Sequence, residues 1–138
     1  MKGIDPIMED IIVSASTPDS SAKTASAASL AYLGDAVWEV QIRLRLGRKG
    51  SRRPSEESLA YVTAEAQSDA AERLLPHLTE EEEDAYRRGR NCVHGNVPRH
   101  ATVAQYRRAT GLEALFGYLA LCGRQDRIEE LMDLALGQ

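Results

Sequence analysis

An all-α fold is what this sequence predicts, and three observations predict it. Apolar residues recur at helical spacing through most of the chain. Ser/Thr/Asp-x-x-Glu/Gln helix-start signals precede several of those stretches. Nothing resembles two alternating strands joined by a tight turn. At 138 residues the chain is the length of one domain, and 43% apolar against 28% charged residues is the balance of a globular protein with its own core. That balance excludes a disordered chain, and no apolar run is long enough for a membrane-spanning helix.

Residues 1–25 are rich in Ser, Ala, Thr and Asp without periodicity, and a flexible N-terminal segment is expected there. Met8 reads as the native start, with residues 1–7 added ahead of it. The domain is expected over 26–138. Leu30, Leu33, Val37, Val40 and Leu44 predict a helix over about 26–46, followed by a basic loop, Gly47–Pro54. Pro54 marks the next helix start, and Leu59, Val62, Ala66, Ala70 and Leu74 mark one face of a helix over about 55–75 that Pro76 ends. Thr79 with Glu82 forms a capping box for a helix to about Arg88. Asn91–His100, with Gly95 and Pro98, reads as a loop. Thr102 with Gln105 opens a helix over about 103–121, which Gly123 ends. Asp126 with Glu129 is a third box, and Ile128, Leu131, Met132 and Ala135 form the stripe of the last helix.

The net charge of −4 argues against a nucleic-acid ligand, but the distribution argues the other way. Twelve of the 17 basic residues fall in two windows. The first holds Arg43, Arg45, Arg48, Lys49, Arg52 and Arg53; the second holds Arg87, Arg88, Arg90, Arg99, Arg107 and Arg108, with His94 and His100 among them. No acid lies between Glu39 and Glu56 or between Asp84 and Glu113. Segregated charge of this kind makes a local positive field, and the arginine fork suits phosphate. Solvated helix faces are the plainer reading of the same windows. Two cysteines, Cys92 and Cys122, cannot make a disulfide framework or a four-thiolate zinc site, and the three histidines have no metal-ligand spacing. No basic segment followed by an apolar core opens the chain, so a cytoplasmic location is expected. With aromatics at 5%, a base-stacking platform is not expected.

Two acids stand in apolar company. Asp35 is the only charged residue between Lys23 and Glu39, and Glu113 the only one between Arg108 and Arg124. Helices so apolar are normally buried, and a lone carboxylate there costs several kcal/mol unless something positive neutralises it. Gly34 stands beside Asp35, and Gly111 and Gly117 flank Glu113. Glycines let helix backbones approach closely, so the two helices are expected to cross and bring both acids to one point. Oxygen ligands without thiolate or convergent histidine suit Mg²⁺, or Mn²⁺ in its place, rather than zinc or iron. A structural ion pair of each acid with an arginine is the alternative. Glu39, one turn after Asp35, is read as paired with Arg43.

AYLGDAVWE at 31–39 resembles the signature helix of the ribonuclease III endonuclease domain, and LEALFGYLAL at 112–121 resembles that family's second metal-binding helix. RRGRN at 87–91, YRRATGLEALFGYL at 106–119 and VTAEAQS at 62–68 resemble the short branch called Mini-ribonuclease III. The similarity spans about Leu30 to Leu134. It implies an all-α endonuclease fold without a double-stranded-RNA-binding domain, working as a two-fold homodimer. It implies Mg²⁺-dependent cutting of double-stranded RNA to 5′-phosphate and 3′-hydroxyl ends, in maturation of the large-subunit (23S) ribosomal RNA precursor, helped by a ribosomal protein. Asp35 and Glu113 match the metal-binding acids. Longer members carry two further acids where this chain has Ala31 and Thr110, as the short branch generally does, which favours one metal ion completed by RNA phosphate. Arg87, Arg88, Arg90, Asn91, Arg99, His100, Arg107 and Arg108 are the candidate contacts to duplex RNA. A dimer that binds structured RNA without cutting it, and a helical adaptor for acidic proteins, are the competing readings.

Overall fold

In a computed structural model the chain is helical, as its spacing predicts; residues 20–93 and 97–137 are described, and among them there is no strand. A short 3-10 turn, Ser20–Lys23, precedes six α-helices: α1 Ala27–Lys49, α2 Pro54–Val62, α3 Ala64–Leu74, α4 Glu80–Asn91, α5 Val103–Leu121 and α6 Gln125–Leu136. Most of the segment expected to be flexible lies outside the described residues. Its last part does not: Ala22, in the 3-10 turn, is buried in the core.

Helix α5 is the centre of the molecule. Helices α1, α3 and α4 pack around it, and α6 closes against α3 and α5. Its apolar composition on all sides is what a central helix requires. From Ala109 to Leu119 every residue is buried except Glu113. The Thr102–Gln105 capping box opens this helix and the Thr79–Glu82 box opens α4, each with both reciprocal hydrogen bonds present.

Two glycine crossings hold α5 in place. A methyl group on Gly34 would overlap the Glu113 carbonyl oxygen, and one on Gly117 would overlap the Leu30 carbonyl oxygen, so α1 and α5 touch backbone to backbone. On another side Gly89 of α4 faces Thr110, Gly111 and Ala114, and Gly111 faces the Tyr86 ring. Trp38 packs edge-on against Phe116 with ring centroids 5.4 Å apart, and its indole N–H donates to the Tyr61 carbonyl at 2.9 Å. Trp38 is thus a core residue. The Arg127 guanidinium forks onto buried Glu82 with two 2.8 Å bonds, tying α6 to α4.

Several expected details change. Gly47 does not end the first helix. The chain stays helical to Lys49 and ends in left-handed Gly50, φ 78°. The single helix expected over 55–75 is two helices. Thr63 is extended, and its hydroxyl accepts from the Ala66 N–H, so it starts α3 instead of continuing α2. The break changes the phase of the apolar stripe and leaves Leu59 exposed. In α1 the core face is Leu30, Gly34, Trp38, Gln41, Ile42 and Leu46, whereas Val40 and Leu44, expected inside, are exposed. The third capping box does not form. Left-handed Gly123 turns the chain, α6 starts at Gln125, and the Asp126 carboxylate takes Arg124 at 3.2 Å, which holds its pKa below the usual value.

Gly117→Ala should destabilise the protein by about 2 kcal/mol or more, because the methyl has a rigid carbonyl in its way. A fall of the thermal midpoint by roughly 5 °C or more checks this; a midpoint unchanged within error would mean that the crossing can relax.

Candidate active site

The α1–α5 crossing places two functional groups. Gly34 lies against the backbone of Glu113, and the next residue in α1 is Asp35. The carboxyl groups of Asp35 and Glu113, 78 residues apart in sequence, come within hydrogen-bonding reach of each other. The site is therefore a consequence of backbone contact, with no loop between the crossing and the acids.

Burial pushes the Glu113 carboxyl up to about 8, with the Asp35 carboxyl and the more distant charge of Glu39 acting in the same direction. Neither Asp35 nor Glu113 has a salt bridge among the described residues, so the alternative of two structural ion pairs with arginine is not what forms. The expectation that both acids are buried holds only in part. Asp35 is exposed, because its stripe of α1, continuing through Glu39 and Arg43, faces solvent, while Glu113 is half-buried. Glu39 does make its predicted i,i+4 pair with Arg43, at 3.9 Å and largely exposed.

Two adjacent carboxyls, one forced toward its protonated form and one open to solvent, fit a hard divalent cation. The cation would supply the positive charge that the protein leaves out. Among the described residues no group of three or more His, Cys, Asp or Glu side chains is arranged to hold a metal ion. The protein's share of such a site is two carboxylates, with further ligands left to water and substrate. Thr110 does not add one, since its hydroxyl turns back to the Tyr106 carbonyl at 2.9 Å, and Ala31 has no ligand atom.

The arginines divide into held and free. Arg99, His100 and Arg107 are exposed and have no ion pair among the described residues; Asn91 is exposed and accepts from Arg90 Nε at 3.4 Å. Arg87 makes an exposed 3.3 Å pair with Asp84, of small energetic weight. Arg90 lies 6.0 Å from the Tyr86 ring centroid. Two other expected contacts are anchored within the protein at one edge of the guanidinium. Arg88 donates to the Ala25 carbonyl at 2.7 Å, holding the segment before α1, and Arg108 donates to Ser68 at 2.8 Å. In the first window Arg45 bridges to Glu129 and Asp133 of α6. His94 lies outside the described residues.

The sequence reading also missed Tyr32. It is 86% exposed, one turn before Asp35, on a face of α1 with Val40 and Leu44. The i, i+8, i+12 spacing of these three residues is visible in the sequence, but Val40 and Leu44 are read there as part of the core stripe and Tyr32 is not singled out.

The all-helical architecture agrees with what comparison with known proteins finds. The sequence profile described as Ribonuclease III domain matches residues 28–124. The chain belongs to the ribonuclease III family of endoribonucleases, within its Mini-ribonuclease 3 branch. Relatives of that name include one from Symbiobacterium thermophilum, 44% identical over 110 residues covering 78% of this chain and 85% of the relative. Another, from Gloeobacter violaceus, is 46% identical over 114 residues, covering 81% and 83%. A crystal structure of a Fusobacterium nucleatum protein superposes with a TM-score of 0.77 at 29% identity, covering 85% of this chain and 96% of that one.

A group whose folded pKa is raised makes the folded state bind its proton more tightly than the unfolded chain does. Its contribution therefore falls as pH rises from the unfolded value of 4.5 through about 8. Without divalent cation, stability should decline over that interval. Glu113→Gln should be more stable than the parent at pH 9 and lack that decline. Denaturant unfolding at pH 5, 7 and 9 checks both; parallel pH curves for parent and variant would remove the assigned strain.

Proposed function

We propose that this chain is a Mg²⁺-dependent endoribonuclease that cuts double-stranded RNA to 5′-phosphate and 3′-hydroxyl ends, with Asp35 and Glu113 as its catalytic metal-holding residues. The observation that carries this reading is the meeting of two carboxyls at the α1–α5 crossing with no cationic partner. Bound there, the ion would lower the pKa of a water, polarise the scissile phosphate and stabilise the leaving 3′-oxygen. Asp35, facing solvent, is the side from which substrate phosphate approaches. Glu113 gives up its proton to take part, and its half-buried position fixes its direction. Arg87, Arg90, Asn91, Arg99, His100 and Arg107 follow the duplex backbone, whose A-form shape is recognised through phosphates and 2′-hydroxyls with little need for aromatic stacking.

A two-fold homodimer supplies the second cut. Tyr32 at 86%, Val40 at 54% and Leu59 at 61% exposure, with Leu44, leave α1 and α2 with apolar side chains that water does not favour. A second copy seated on that face would cover Tyr32 and put two carboxylate pairs on one assembly, one for each RNA strand. No helix among the described residues is long and apolar enough to cross a membrane, in keeping with a cytoplasmic enzyme. A role in maturation of the large-subunit ribosomal RNA precursor, with a ribosomal protein as helper, rests on the family resemblance.

Asp35→Asn should lower Mg²⁺-dependent cleavage of duplex RNA by about a hundredfold or more, the order associated with removal of one electrostatic stabiliser. Duplex binding should persist and weaken steeply with salt. Full activity in Asp35→Asn would defeat the assigned chemistry. A parent that binds duplex but never cuts would favour the non-catalytic dimer, and the absence of salt-sensitive RNA binding would favour the adaptor.

A further inference from the structure

Ser68 is 1% exposed, and its hydroxyl accepts from Arg108 Nε at 2.8 Å. The same Nε lies 3.6 Å from the Glu72 carboxylate, one turn further along α3. Both anchors act on a single edge of the guanidinium. Neither Nη of Arg108 has a hydrogen bond among the described residues, and a third of the side chain is exposed. The structural arginines of this protein behave differently. Arg127 places its Nη groups on Glu82, Glu130 and the His77 carbonyl, and Arg88 places Nη2 on the Ala25 carbonyl. Arg108 is held from behind, with its fork left over.

The field around this arginine is shared with a second one. Arg90, in the last turn of α4, lies 6.0 Å from the Tyr86 ring, and Tyr86 is buried against Gly111 of α5. The charges of Arg90 and Arg108 both reach the Tyr86 phenol and oppose the upward pull of its burial, while Glu72 acts with the burial. Arg90 and Arg108 are thus both within electrostatic reach of the Tyr86 phenol, as is Glu72. Held arginines lose less side-chain freedom on binding, and the free edge of a guanidinium matches two oxygens of one phosphate.

We propose that Ser68 and Glu72 are positioning residues that preset Arg108 as a grip for a backbone phosphate of duplex RNA away from the cleaved bond. The inference rests on the nuclease reading. Arg108 precedes Glu113 by five residues and stands about 140° round the helix from it, so the phosphate it meets is not the scissile one. Its contribution therefore falls on substrate binding and leaves the chemical step alone.

The test is steady-state cleavage of a duplex RNA by Arg108→Lys, Ser68→Ala, Glu72→Gln and the Ser68→Ala/Arg108→Lys double variant. Arg108→Lys keeps the charge but loses the held fork, and should raise KM about five- to tenfold with the loss absent from kcat. Ser68→Ala should raise KM by about threefold, and the double variant should be no worse than Arg108→Lys alone, because the serine acts only through the arginine. Glu72→Gln, an exposed change, should raise KM in the same direction whether or not Ser68→Ala folds normally. A KM for Arg108→Lys within twofold of the parent overturns the proposal, as does multiplication of the two single effects. A fall in kcat at unchanged KM overturns it as well. If the parent does not cut duplex RNA at all, the nuclease reading fails first and takes this proposal with it.

Discussion

The contact on which this molecule depends is between two backbones. Gly34 and Gly117 remove the Cβ atoms that would separate α1 from α5, and the Glu113 carbonyl occupies the space that a side chain at Gly34 would need. Helix axes normally stay 8–10 Å apart because of the side chains between them. Where those are absent, polar groups at the edge of the contact are brought unusually close. Asp35 follows Gly34 directly, so close approach of the helices is also close approach of the acids. The same crossing that organises the core creates the electrostatic strain of the site.

That strain is specific in origin. Burial contributes most to the raised Glu113 carboxyl and Asp35 adds to it, with no arginine among the charges that act on it. Arg45 and Arg127 spend their donors on acids of α6 and α4, where they join helices. Arg99 and Arg107 remain on the surface without ion pairs among the described residues. Basic residues near each other in sequence thus do two kinds of work. Some lock the bundle, and others give its surface a positive field that the net charge of −4 conceals. The carboxylate pair at the crossing, for its part, has no cationic partner among the described residues. On the proposed function a divalent ion would answer the pair while exposed arginines meet the RNA backbone, which would join the chemistry of cutting to the binding of duplex RNA.

Much of this was legible in the primary structure. The capping signals at Thr79 and Thr102 are local, since their hydrogen bonds close within one turn, and both formed as read. The two isolated acids and their flanking glycines were legible too, because an ionised group in an apolar helix contradicts its surroundings wherever the helix packs. The third box, at Asp126, looked the same but failed, since Gly123 moved the helix start and Arg124 claimed the carboxylate. Val40, Leu44 and Leu59 misled for a related reason. Helical spacing reports that a residue is apolar on a given stripe, but not which stripe meets the core.

The sequence by itself determined the all-helical class and the family, and it singled out the two acids, all of which rest on short-range patterns or on motifs read residue by residue. Only the tertiary structure decided that Asp35 faces solvent while Glu113 is half-buried, and that Arg108 is anchored by Ser68 while Arg107 is free. It also decided that Tyr32 stands outside the core. Those outcomes depend on rotation of one helix against another, and a shift of about 100° per residue turns an inward position into an outward one. Such rotations are fixed by contacts between residues distant in sequence, here at glycines whose small size sets how closely the backbones meet.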